Sequence, residues 1–368
     1  MTTPDAPSSK RIGALDALRA LFAGMVVFHH IRPITLADHY LLDFVLQKIY
    51  NTISFGPGAV IGFFVISGFC IQATSMGKAF NAREFYARRF TRTGIPLTVT
   101  AIWAAWAGVN YNPLVGAVTW SLVCEEIYYL VYPLFHQIVI PRFGFARLTI
   151  FCGLVGVGCS LSSPPEKTTA ALLCIALAYF PIWLLGAWLA ETTIGRVEDP
   201  KRSTLRPTAS PFAWRIGIFA VFGFTAEITA RRTFLPAPFL MLLTGGLLFL
   251  WLRMELSHNT LIFPRFLETA GKWSYSVYLT HILFQDAWSN FISSSHWLRL
   301  YPLRYIRRAL DLKTLHGWGL ELIAVFIGAY VFYWLVEKPS HRWARSIVVP
   351  TASLSSQSGN SFPPPANG

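Results

Sequence analysis

The chain has 368 residues, of which 54% are hydrophobic and only 13% charged, with a formal net charge of +13 and a mean hydropathy of +0.45. A charged share about half that of an ordinary soluble domain excludes a soluble enzyme and makes the bilayer the solvent. The basic excess implies no nucleic-acid partner, because cytoplasmic Lys and Arg beside anionic lipid account for it.

Apolar stretches of about 17 to 25 residues can cross a bilayer. They predict an all-α integral membrane protein, a bundle of about ten transmembrane helices. Its spans start near residues 14, 57, 94, 120, 147, 168, 211, 237, 268 and 317. Most Lys and Arg fall in the segments that become internal if the chain starts inside, so both termini are expected to be cytoplasmic. The membrane domain then covers 14–345, after a short cytoplasmic segment, 1–13, and before a tail, 346–368. That tail ends "TASLSSQSGNSFPPPANG" and should be disordered. The five cysteines lie in apolar runs without paired ligand spacing, so no metal and no bound cofactor is expected.

The first span, "RIGALDALRALFAGMVVFHH", carries Asp16, Arg19, His29 and His30. Eleven residues are just over three helical turns, so Arg19 and His30 share a face, roughly 16 Å apart, while His29 is turned away by about 100°. Asp16 joins the Arg19 face and can pair with it locally. Ionisable groups inside a membrane are costly and mark working sites. Beyond the second span, "FFVISGFCI", the segment "EFYARRFTRTGIP" brings Arg88, Arg89 and Arg92 to a helix start. They can serve as topogenic charge or as a clamp for phosphates, which suit guanidinium forks.

The fourth span opens on Trp120 and carries the adjacent Glu125 and Glu126, of which at most one can face a given site. In "GKWSYSVYLTHILF", Ser274, Tyr278 and His281 follow i, i+4, i+7 spacing and line one face. Between the last two spans, the loop "HWLRLYPLRYIRRALDLK" runs against the positive-inside bias. Arg304, Arg307 and Arg308 share one face of it, as an interfacial helix or as a recruitment surface for an anionic acceptor. Glu337 lies at the end of the last span, where it reads as a structural group, a partner for an inner-face arginine.

Taken in order, these motifs resemble acyltransferase family three, membrane enzymes that include bacterial O-acylation enzymes of surface polysaccharides and lipid-linked sugars. The matching stretches are "LDALRALFAGMVVFHH", "FFVISGFCI" around Ser67, "FYARRFTR", "TWSLVCEEIYYLVYP", "SYSVYLTH" and "VEKP". The resemblance implies a multi-pass enzyme of the bacterial inner membrane that moves an acyl group from cytoplasmic acyl-CoA, as co-substrate, to a hydroxyl of a carbohydrate or glycolipid. It places the base on His30, with Glu125 as orienting carboxylate or acceptor contact, and the donor's phosphates or pantetheine on Arg19, Arg88, Arg89 and Arg92. Asp16, Ser67, Trp120, Ser274, Tyr275, Tyr278 and His281 are expected to line the site. A proton-coupled transporter using the same His and Glu residues is the alternative. The chain departs from the family pattern at "RTGIP", where Pro96 comes one residue late, and at "DALR", which has Ala17 where the family usually has glycine.

Overall fold

The computed structural model describes residues 9–31, 36–37, 39–77, 79–109, 119–161, 168–194, 211–230, 237–258, 260–294 and 315–347. Among these residues there are helices and no strands. In chain order they are α1 (Ser9–His30), α2 (Tyr40–Ile53), α3 (Gly56–Ser75), α4 (Ala82–Arg89), α5 (Ile95–Trp106), α6 (Thr119–Leu134), α7 (Ile140–Leu161), α8 (Thr169–Thr193), α9 (Pro211–Ala230), α10 (Ala237–His258), α11 (Arg265–Gly271), α12 (Ser274–Ser294), α13 (Leu315–Phe332) and α14 (Lys338–Ser346). Three π-helical turns, Phe90–Gly94, Phe135–Val139 and Tyr333–Glu337, join α4 to α5, α6 to α7 and α13 to α14.

Each expected span finds a helix, in α1, α3, α5 to α10, α12 and α13. By length and apolarity, six segments can cross a membrane: Tyr40–Ser75, Thr119–Cys159, Thr169–Thr193, Phe212–Thr229, Ala237–His258 and His316–Ser346. Of the expected spans, α1, α5 and α12 are not among them: polar side chains lower the hydropathy of α1 and α12, and α5 has only 12 residues. Two features were not anticipated. The helix α2 precedes the second span, and α1 begins at Ser9, inside the segment expected to lead up to the membrane domain. The loop arginines Arg304, Arg307 and Arg308 and the tail beyond residue 347 lie outside the described residues.

The core forms where α3 crosses α8 at backbone distance. A Cβ on Gly68 would sit 2.0 Å from the carbonyl oxygen of Trp183, and one on Gly186 would sit 2.0 Å from that of Val65. Glycine at both positions is therefore required, as small residues are wherever membrane helices pack on dispersion forces alone. Around the crossing lie Ile61, Phe64, Ile66, Ile182, Trp183 and Leu184, all essentially unexposed. A second apolar cluster, with Ala23, Val27, Ile31, Val277, Leu322, Val325 and Ala329, joins α1 to α12 and α13.

The last carbonyls of a helix lack internal partners, and here they fix the end of α1. Tyr50 of α2 donates its hydroxyl to the carbonyls of Phe28 (2.6 Å) and Ile31 (3.0 Å), and Trp318 of α13 donates its indole N–H to Ile31 (2.9 Å). Within α7, Gly144 has φ 73°, a positive-φ conformation open to glycine that kinks the helix near its start.

Candidate active site

One cavity of about 560 Å³ opens inside the bundle, within the size range of small-molecule sites. It runs from Arg19, Arg89, Arg92, Lys272 and Arg345 at one end to Ser121, Tyr278, Val60 and Phe63 at the other. Of the expected site residues, Asp16, Arg19, Ser67, Arg89, Arg92, Glu125, Ser274, Tyr275 and Tyr278 all line it.

At the basic end, Arg19 donates to Asp16 Oδ1 (2.6 Å) and to Cys70 Sγ (3.0 Å), so its local ion pair and its place on the cavity wall coexist. Arg89 stacks its guanidinium over the rings of Tyr129 (5.2 Å) and Phe85 (5.9 Å). Arg88 differs from its neighbours. It is half-exposed, pairs with Glu84 at 2.6 Å and donates to the Ile347 carbonyl, and it lines only an adjoining cavity of about 450 Å³. Arg89, Arg92, His341 and Arg345 line both cavities and so connect them.

The π-helical turn explains the late Pro96. An i→i+5 turn takes up one residue more than an α-turn, and the Ile95 N–H bonds back to the Phe90 carbonyl, five residues earlier. Pro96, which has no N–H to give, then falls in the first turn of α5, where none is needed. Two side chains secure the turn: the Tyr275 hydroxyl donates to the Thr93 carbonyl (3.0 Å) and the Thr93 hydroxyl donates to Glu126 (2.6 Å). The extra residue is thus absorbed locally, and Arg89 and Arg92 both reach the cavity.

Glu126 is spent on that turn, and the adjacent Glu125 faces the cavity. A one-way chain of donors ends on it. Trp183 Nε1–H bonds Ser67 Oγ (3.2 Å), Ser67 bonds the Tyr129 oxygen (3.0 Å), and Tyr129 donates to Glu125 Oε1 (2.5 Å). Trp120 stacks behind this wall against Phe64 and Tyr179 and is not among the lining residues. Glu337 also lines the cavity. Its direct partners are the Ser276 N–H (3.0 Å), the Ser276 hydroxyl and His341, so the carboxylate caps the start of α12, and among the described residues no arginine comes within ion-pair distance of it.

At the far end, Ser121 and Tyr278 share a hydrogen bond of 2.5 Å. Just beyond them sit His281, fully buried, and His30, neither of which lines the cavity. Their rings are 5.0 Å apart, with His281 Nε2 at 3.2 Å from His30 Nδ1. The carbonyls of Tyr278 (2.8 Å) and Val277 (3.2 Å) flank His281 Nδ1, which must therefore carry the proton. Its Nε2 is then an acceptor, and the donor facing it is His30 Nδ1–H, which also reaches the Val26 carbonyl at 2.9 Å. The neutral His30 consequently has its basic lone pair on Nε2. His29 serves elsewhere, with Nδ1 at 3.0 Å from the Ser54 carbonyl and its ring against Gly56.

Lys272, His341 and Arg345 were not singled out from the sequence, where Lys272 and Arg345 read only as inner-segment charge. The signal was present in Glu337, His341 and Arg345, which fall at i, i+4, i+8 on one helical face.

The fold and the cavity define a polytopic, all-helical membrane protein with an internal polar site that carries cations at one end and an imidazole pair at the other. Residues 12–337 match the model of acyltransferase family three, described as an acyltransferase domain, and the chain belongs to that family. It is a membrane acyltransferase. Searches of curated proteins and of solved structures return no match.

Proposed function

We propose that the protein is an acyl-CoA-dependent O-acyltransferase of the bacterial inner membrane, acting on a hydroxyl of a carbohydrate or glycolipid. The observation that carries this reading is the His30–His281 imidazole pair just beyond one end of a cavity whose other end is cationic. Acyl-CoA enters at the Arg19 end, taken as cytoplasmic. Arg88 and Arg345 meet its phosphates first, Arg89 and Arg92 hold them at the cavity mouth, and Arg19 and Lys272 meet the pantetheine side.

His30 Nε2 removes the proton of the acceptor hydroxyl as its oxygen attacks the thioester carbonyl. Within the hydrogen-bonded Ser121–Tyr278 pair, the hydroxyl that accepts from the other donates its own proton to the oxyanion of the tetrahedral intermediate. Its collapse breaks the C–S bond, and the leaving thiolate takes the proton from His30, so no net proton is exchanged. Glu125, oriented by Tyr129 and Ser67, supplies a further contact along the cavity wall.

The test is release of free CoA thiol from acyl-CoA by the purified protein in nanodiscs with candidate acceptors. A transferase shows acceptor-stimulated release, whereas a proton-coupled transporter moves its substrate unchanged and shows none.

A further inference from the structure

Four buried side-chain polar atoms have no hydrogen-bond partner among the described residues: Thr149 Oγ1, Trp214 Nε1, Trp288 Nε1 and Glu321 Oε1. The last two sit on neighbouring helices, Trp288 on α12 and Glu321 on α13, with Gln285 of α12 between them. On α12, His281, Gln285 and Trp288 follow i, i+4, i+7 spacing and share a face, and Gln285 hydrogen-bonds the Glu321 side chain on α13. Glu321 is only 3% exposed. Its neighbours fix its level: Trp318 donates to the Ile31 carbonyl, and Leu322 packs with Val27 and Ile31. Gln285 and Glu321 therefore lie about one helical turn from His30 and His281, on the side away from Arg19, and Trp288 follows about one turn further along α12.

A buried carboxylate oxygen and a buried indole N–H, both unpaired, are costly and call for a partner. Their chemistry is complementary, since the carboxylate can only accept and the indole can only donate. A vicinal diol answers both, giving a proton from one hydroxyl and a lone pair from the other. Trp288 and Phe291, with ring centroids 6.1 Å apart, add aromatic surface for the C–H face of a sugar ring.

We propose that Glu321 and Trp288, with Gln285, form a subsite for a vicinal diol of the carbohydrate acceptor, holding the hydroxyls that neighbour the one His30 deprotonates. This rests on the O-acyltransferase reading for its purpose, but its binding can be measured without turnover. The test is saturation-transfer NMR on the full-length protein in nanodiscs, titrated with the methyl glycosides of glucose, galactose, mannose and rhamnose. Wild type, Glu321→Gln and Trp288→Phe are compared, with thermal unfolding as the folding control.

The expected result is that at least one glycoside binds wild type and that Kd rises about tenfold in each variant, the worth of one lost buried hydrogen bond. Trp288→Phe keeps the ring and removes only the N–H, so it serves even where Glu321→Gln fails to fold. Absence of binding by all four glycosides, or unchanged Kd in both variants, overturns the subsite. Binding that depends on Glu321 and Trp288 in a protein that releases no CoA thiol would instead overturn the transferase reading and leave the subsite standing.

Discussion

Replacing His281 tests the positioning argument, because this residue touches the base and does not line the cavity. Its Nε2 accepts from His30 Nδ1 at 3.2 Å, and its own Nδ1–H is held by two backbone carbonyls. His281→Leu fills much of the space but removes the Nε2 acceptor that faces His30 Nδ1, so the ring orientation and tautomer are less firmly imposed. Loss of a buried hydrogen bond and of its partner's satisfaction amounts to about 2–3 kcal/mol. All of it should fall on the chemical step, lowering kcat about 30- to 150-fold while leaving both KM values within about threefold. His281→Gln can present an amide oxygen close to the original Nε2 and should recover kcat to within about tenfold of wild type. Steady-state acyl transfer, with donor and acceptor varied separately, reads all three outcomes. Full activity in His281→Leu would refute the argument, as would a loss confined to KM or a Gln variant no better than Leu.

Three other expectations follow from the same geometry. His30→Ala should lose about 10²- to 10⁴-fold in kcat, the usual worth of a general base, whereas His29→Ala, whose ring serves the α2–α3 junction, should stay within about tenfold. In acyl-CoA titrations, Arg89→Gln, Arg92→Gln and Arg345→Gln should each raise donor KM about 10- to 100-fold with little change in kcat. Arg88→Gln should change it less than about threefold, because Arg88 is half-exposed and already paired, and raised salt should mimic part of the loss. Gly68→Ala drives a methyl into the Trp183 carbonyl and should cost about 2–3 kcal/mol. A clear fall in Tm in detergent would show it, against Gly24→Ala, where a Cβ meets nothing within 4 Å, as the control.

What could be read in advance was whatever helical periodicity fixes locally. Arg19 and His30 share a face for the same reason in the sequence as in the fold, and Ser274, Tyr278 and His281 likewise share theirs. Which faces meet is a long-range matter. The His30–His281 contact joins positions 251 residues apart, so the sequence could place both imidazoles near a site without pairing them. Glu125 was expected either to orient His30 or to contact the acceptor. Its partner in the structure is Tyr129, one turn along its own helix, and the side chain against His30 Nδ1 is His281.

Charge was harder to read, because topogenic and ligand-binding arginines look alike in a basic loop. Arg345 of α14 and Lys272, just after α11, are distinguished only by their place on the cavity wall. The helix α2 went unnoticed because its 14 residues are too few to span. Its Tyr50 nonetheless helps hold the end of α1. The inserted residue before Pro96 was visible, but its consequence needed the π-helical turn.

The central claim is that this chain transfers acyl groups to a cellular hydroxyl with His30 as the general base. The most direct test compares ester-linked acyl groups on the surface glycans and lipids of a parent strain, a deletion strain and deletion strains complemented with wild type or His30→Ala, by mass spectrometry. The account predicts that one product class loses an acyl increment in the deletion, regains it with the wild-type allele and fails to regain it with an equally expressed His30→Ala allele. Restoration by His30→Ala, or identical acylation in parent and deletion, would contradict it.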